Sequence, residues 1–80
     1  MEEKKNRVLE DMSELFEVDL DSLTDNYLFD SDLWDSLAVA STVASVHKHY
    51  RILIKGNELM TKTRLGQVFE IIDQTMAARS

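Results

Sequence analysis

The chain has no cysteine, no proline, only two glycines and no long run of apolar residues. Without cysteine it has no disulfide, no thiol nucleophile and no soft metal ligand, so any thiol chemistry requires a cofactor. No apolar stretch approaches the roughly 20 residues that span a bilayer, and the charged start MEEKKNRVLEDM is unlike a signal peptide. These absences predict a soluble protein without membrane insertion, for which the cytoplasm is the default location.

Basic residues are scarce in the first half of the chain. Residues 1–35 contain twelve Asp and Glu against three Lys and Arg, whereas residues 36–80 contain three against six, for a net charge of −6. Binding of nucleic acid needs a clustered basic face, which the few dispersed bases do not supply. The acidic half instead predicts a protein partner with a basic surface.

Apolar residues recur at helical spacing in three segments of the chain. A chain of 80 residues forms one small domain, residues 1–80, with a thin core. The spacing predicts helices over about residues 3–17 and over 36–50, and a final helix defined by residues 65–76, with Thr63 as N-cap. The residues that define these helices are Val8, Leu9, Met12, Leu15 and Phe16; Val39, Val43, Val46 and Tyr50; and Leu65, Val68, Phe69, Ile72 and Met76.

The segments between the helices have no sustained helical period. Residues 17–35 predict a long loop, a length that is often functional, and its apolar residues are expected to anchor it: Val18, Leu20, Leu23, Tyr27, Leu28 and Phe29. RILI at 51–54 predicts an extended connector tucked under the bundle, and GNELMT at 56–61 a short helical turn. The fold class is therefore all-α: a small four-helix bundle with three main helices, one short helix and a long loop between helices 1 and 2.

The start of the second helix pairs two candidate capping residues, Asp35 and Ser36. A serine before an apolar helical run is usually an N-cap, but Asp35 is at least as good a cap. Ser36 then takes the first helical position, where its hydroxyl is free and the helix dipole stabilises an attached phosphate ester.

Other chemistry is disfavoured at these positions. Nucleophilic catalysis by Ser36 needs a base, and His47 lies eleven residues further on, about 16 Å along the helix. His47 and His49 project from different sides of a helix and make a poor metal pair, better read as exposed polar surface. A calcium loop starting at Asp30 would need glycine at its sixth position and glutamate at its twelfth, which this sequence lacks. No metal site is predicted.

The segments LFDSDLWDSL at 28–37 and TRLGQVFEII at 63–72, with Tyr50 followed by the Ile52 and Ile54 pair, resemble acyl carrier proteins and their peptidyl and D-alanyl carrier relatives. The resemblance covers nearly the whole chain. It implies that Ser36 is the attachment point of 4′-phosphopantetheine, transferred from coenzyme A by a magnesium-dependent phosphopantetheinyl transferase. The arm would supply the thiol that the chain lacks and hold acyl or aminoacyl groups as thioesters.

The resemblance also implies partners and a non-catalytic role. Asp35 and Leu37 match the motif positions that such transferases recognise. The other implied partners are an enzyme that loads the acyl or aminoacyl group and condensing or transfer enzymes of a fatty acid, polyketide or nonribosomal peptide pathway. The chain itself is expected to be a monomer. The alternative is an unmodified helical interaction module, in which Ser36 is only a helix cap.

The second helix departs from the family pattern, because carriers of fatty acid synthesis resemble one another in an acidic second helix that docks on basic enzyme patches. Here this helix has no acid, and its titratable residues are His47, Lys48 and His49. Its predicted outer face is small: Ala38, Ala40, Ser41, Ala44 and Ser45. We expect general fatty acid enzymes to bind it poorly. Either loop acids such as Asp30 and Asp32, with those of the first helix, take over docking, or a dedicated partner presents a neutral or acidic face.

Two of the residues that precede Ser36, Asp32 and Trp34, are also unusual. Asp32 occupies a position where related carriers have glycine, and aspartate tolerates a positive φ if that position requires one. Trp34, the single tryptophan, either shields the start of the arm or meets a partner, or else it is buried over the core.

Overall fold

The computed structural model describes residues 2–79 and confirms a small, all-helical bundle. The helices are α1, Glu2–Phe16; α2, Ser36–Tyr50; α3, Gly56–Met60; and α4, Leu65–Arg79. A 3-10 turn, Leu20–Ser22, interrupts the loop between α1 and α2. Within residues 2–79 there is no strand, and the single antiparallel bridge pairs Leu28 with Arg64. None of the helices in this range is long and apolar enough to cross a membrane.

The predicted apolar faces form the core. Helix α1 contributes its stripe at steps of three and four residues, and the connector after α2 buries Ile52 and Ile54, as predicted, while Leu53 between them is exposed. This alternation is expected of an extended segment with one side against the core. The buried apolar residues are Val8, Leu9, Met12, Phe16, Leu23, Trp34, Ala38, Val39, Val46, Ile52, Ile54, Leu59, Leu65, Val68, Phe69 and Ile72.

Helices α1 and α2 both end at a residue in the left-handed conformation. Glu17 has φ 57° and Arg51 has φ 60°. After α1, the Val18 N–H donates to Ser13 O at 3.1 Å, and after α2 the Arg51 N–H donates to His47 O at 3.0 Å. Both endings satisfy carbonyls of the last turn without the glycine that usually occupies this position.

The loop from Glu17 to Asp35 is fixed to the start of α4 by backbone hydrogen bonds. Phe29 N–H donates to Thr63 O, and the N–H groups of Leu65 and Gly66 donate to Tyr27 O and Asp25 O, at 2.9–3.0 Å. Leu23 is buried as predicted. The prediction that Leu20 and Leu28 anchor the loop is wrong, because their side chains are 43% and 67% exposed. The other predicted anchors, Val18, Tyr27 and Phe29, are half-buried against the core. Backbone pairing adds to their hold on the loop, and an apolar pattern cannot reveal it.

The start of α4 also differs from the prediction. The helix begins at Leu65, and Thr63 does not cap it. Gln67 instead reaches back, and its Oε1 accepts from the N–H groups of Thr63 and Arg64 at 2.9 and 3.0 Å. Gln67 thus serves N–H groups just before the helix, as the third residue of a capping box does. The N–H groups of Leu65 and Gly66, in the first turn, donate to carbonyls of the loop.

The small outer face predicted for α2 is only partly correct. Ala40 and Ala44 are exposed and Ser41 is half-buried. Ala38 and Ser45 are buried, at 4% and 7% exposure. Helix α2 has apolar or small residues on every side, so its sequence does not define which face is outermost. The structure shows that these two positions face the core.

Candidate functional site

Asp35 and Ser36 divide the start of α2 as the sequence predicts. Asp35 is extended, at φ −99° and ψ −175°, and its Oδ1 accepts from the Ala38 N–H at 2.9 Å. Its carbonyl accepts the first helical hydrogen bond, from Val39 N–H. Ser36 is the first residue of the helix and is exposed. The cap is thus supplied by a carboxylate, and the neighbouring hydroxyl is available at the surface.

The turn that leads to Ser36 is organised by Asp30. Its Oδ1 accepts from the Asp32 N–H at 2.9 Å, and its carbonyl accepts from the N–H groups of Leu33 and Trp34 at 2.9 and 2.8 Å. This is the side-chain-to-backbone pattern by which aspartate favours turns. The only non-glycine residues with positive φ within residues 2–79 are Glu17 and Arg51. Asp32 therefore does not occupy a position that requires glycine.

Trp34 is buried, which is the second of the two alternatives for this residue. Its indole lies parallel to the ring of Phe29, with centroids 4.0 Å apart and an interplanar angle of 9°. Its Nε1–H donates to Leu59 O at 2.9 Å, and only 7% of the residue is exposed. Trp34 thus ties the turn before Ser36 to the end of α3, and its assignment to a recognition surface is corrected.

The other residues predicted to recognise partners mostly lie at the surface. Leu37, next to Ser36, is 72% exposed. Asp30, Asp32 and Asp35 are exposed before the helix, Ala40, Ala44 and Lys48 along it, and Ser41 is half-buried. The first two residues of α2 therefore present a free hydroxyl and a large apolar side chain, next to the carboxylates of the preceding turn.

A polar cluster between α1 and α2 was not predicted. Asp11 Oδ2 accepts from Ser45 Oγ at 2.7 Å and lies 3.1 Å from His49 Nε2. The prediction that His49 is exposed polar surface is wrong, since its side chain is 17% exposed and faces this carboxylate. The partners lie 34 and 38 residues apart, so only the serine and histidine spacing of four on α2 hinted at a shared partner.

This cluster has the residue types of a catalytic triad in the wrong order. In a triad, histidine stands between serine and the carboxylate and takes the serine proton. Here one oxygen of Asp11 stands between Ser45 and His49. The carboxylate accepts from both groups and holds α1 against α2, so the arrangement is structural.

The Asp11 carboxylate makes stability depend on pH. Burial raises its pKa, but hydrogen bonds from Ser45 and His49 and the charges of His49 and Lys48 lower it, and the net pKa lies below the ordinary value of 3.8. A lowered pKa gives stability that is complete above pH 3.8 and lost as pH falls through the folded value.

Asp11→Asn is therefore expected to lower the free energy of unfolding by about 1 kcal/mol at pH 7 and by less near pH 3. Urea denaturation at both pH values measures the difference. The control is Glu14→Gln, which makes the same chemical change at an exposed carboxylate one turn away and should change stability little. A deficit of Asp11→Asn that is the same at both pH values would contradict the role of the charge.

The residues described by the structure contain no group of three or more His, Asp or Glu side chains that could hold a metal ion. Comparisons of the chain with protein-family models, with curated proteins and with solved structures found no match. Function is therefore inferred from the start of α2 and from the surfaces around it.

Proposed function

We propose that this chain is a carrier protein of the acyl carrier type, modified with 4′-phosphopantetheine on Ser36. The observation that supports this most is the division of roles at the start of α2. Asp35 Oδ1 accepts the Ala38 N–H, so the exposed Ser36 hydroxyl is not needed to cap the helix. A serine used as a cap would have its oxygen directed at the backbone instead.

The chemistry of loading is consistent with this position. Ser36 Oγ would bond to the β-phosphorus of coenzyme A while the bond from that phosphorus to the bridging pyrophosphate oxygen breaks. Adenosine 3′,5′-bisphosphate leaves, and the hydroxyl proton passes to a base of the transferase. The product is a phosphodiester at the positive end of α2, where the helix dipole favours negative charge.

The rest of the chain suits a carrier better than a catalyst. It has no cysteine, and the arm supplies the thiol on which an acyl or aminoacyl group is held as a thioester. Asp35 and the exposed Leu37 flank Ser36 on the surface that a transferase must approach. A loading enzyme and a condensing or transfer enzyme would act on the same thioester in turn.

The test is incubation with coenzyme A, magnesium and a promiscuous phosphopantetheinyl transferase, followed by mass spectrometry of the intact protein. The wild type is expected to gain one phosphopantetheine, and Ser36→Ala to gain nothing. Ser31→Ala is the matched control, because Ser31 is an exposed serine of the preceding turn, and it should be modified like the wild type. An unmodified wild type, under conditions that convert another carrier, would favour the unmodified interaction module instead.

A further inference from the structure

A surface groove of about 510 Å³ runs between α1 and α2. Its floor and α1 side include Met12 and Leu15, and its α2 side is formed by small residues, among them Ser41 and Ala44. The Asp11 carboxylate at its edge is already engaged by Ser45 and His49. The groove therefore offers mainly apolar contacts and is large enough for one bulky side chain.

The α1 side of the groove is strongly acidic. Glu10, Glu14 and Glu17 are exposed, and their spacing of four and three residues places them along one stripe of α1 and its end. Glu14 lines the groove itself. We name these three residues the acidic edge. Helix α2, by contrast, has no acid, and its Lys48 also lines the groove.

We infer that the α1–α2 groove is the docking site for a partner protein with a basic face, which inserts an apolar side chain between Leu15 and Ala44. The argument is charge complementarity: the acidic edge on α1, together with the exposed Asp32 and Asp35 that precede Ser36, supplies the negative charge that α2 lacks. The docking surface therefore lies on the α1 side of α2. Helix α3 packs on another side of α2, near Val39. This inference rests on the proposed carrier function.

The probe for the test is a β-ketoacyl synthase of fatty acid synthesis, an enzyme class that presents a basic face to carriers. Its binding to this chain is expected to be weak, and the change in affinity on substitution is the readout. Binding to the phosphopantetheinylated chain is measured by surface plasmon resonance at low and high salt. Glu14→Lys should weaken binding about fivefold, and the effect should shrink at high salt. Lys48→Glu, which removes the only lysine of α2, should strengthen binding by a similar factor.

Two matched controls separate this surface from its neighbours. Glu58→Lys makes the same charge change on α3, at an exposed position, and should alter affinity less than twofold. Ala44→Leu fills the groove and should weaken binding, whereas Ala77→Leu adds the same atoms at an exposed position of α4 and should not. An equal loss in Glu58→Lys and Glu14→Lys, or no loss in Ala44→Leu, would overturn the inference.

The result is independent of the modification assay. If Ser36 is modified and the charge variants bind alike, the docking site is wrong and the carrier function stands. If Ser36 is not modified, the carrier function fails, whatever the unmodified chain binds. Self-association that Ala44→Leu abolishes would identify a second copy as the occupant and would also overturn the inference.

Discussion

Trp34→Ala is expected to lower the free energy of unfolding by about 3–5 kcal/mol, the usual loss when a buried tryptophan is truncated. The variant removes the stacked contact with Phe29 and a second aromatic contact with Phe16 at 6.0 Å. It also removes the indole donor from the carbonyl of the fully buried Leu59, which keeps the Lys62 N–H as a donor. A domain of 80 residues has a total stability of about 4–12 kcal/mol, so this single change could remove most of it.

Urea denaturation followed by far-UV circular dichroism measures the loss without relying on tryptophan fluorescence. Trp34→Phe keeps an aromatic ring and loses the N–H donor, so an intermediate loss of about 1–3 kcal/mol is expected. Leu33→Ala is the control, because Leu33 is adjacent and 45% exposed, and its loss should stay below about 1 kcal/mol. If Trp34→Phe were as stable as the wild type, the hydrogen bond that ties the loop to α3 would contribute nothing, and this account would be contradicted.

Gly66→Ala is expected to destabilise the protein by about 1–2 kcal/mol, although alanine is the better helix former by about 1 kcal/mol. A Cβ at this position would lie 2.9 Å from Asp25 O and 3.2 Å from Asp25 Cβ. The contact is with backbone that the Gly66 N–H already holds at 3.0 Å, so it cannot move away without losing that hydrogen bond. Overpacking of about 1–3 kcal/mol therefore exceeds the gain in propensity.

Gly56→Ala is the matched control for this prediction, because it makes the same change at the first residue of α3. Its added Cβ would meet Val39 Cγ1 at 3.5 Å and Val43 Cγ2 at 3.9 Å, which are ordinary contacts. Gly56→Ala should therefore leave the protein as stable as the wild type or more stable by up to about 1 kcal/mol. Thermal or urea denaturation compares the two variants, and a stabilised Gly66→Ala would show that the loop yields easily.

The parts of the structure that the sequence predicts are those set by local spacing. The three long helices follow from apolar periodicity, and the Asp35 cap beside an exposed Ser36 follows from which side chain reaches the first turn. The position of Gly66 is predictable as part of a helix start. The reason that glycine is needed there is the close approach of the Asp25 carbonyl. This is a tertiary contact that sequence spacing cannot predict.

The parts that the sequence does not predict depend on elements distant in the chain. Leu20 and Leu28 are apolar yet exposed, whereas Tyr27 and Phe29 of the same loop pack against the core, and apolar character alone does not distinguish the two pairs. The contact of Asp11 with His49 joins two helices whose relative rotation is fixed only by packing. Buried Trp34 donates its indole N–H to the carbonyl of Leu59, which is 25 residues away in the chain. The docking surface is of the same kind, since the groove exists only where α1 and α2 lie side by side.

The backbone attachment of the loop to α4 makes the stability of the fold largely independent of the exposed side chains near Ser36. The bonds at Phe29, Leu65 and Gly66 join backbone atoms only, so they do not require particular side chains on the outward positions. Exposed positions such as Asn26 and Asp32 are therefore free to change charge at little cost in stability. Descendants of one such domain could acquire different partners by substitutions in this loop while the scaffold that presents the serine is retained.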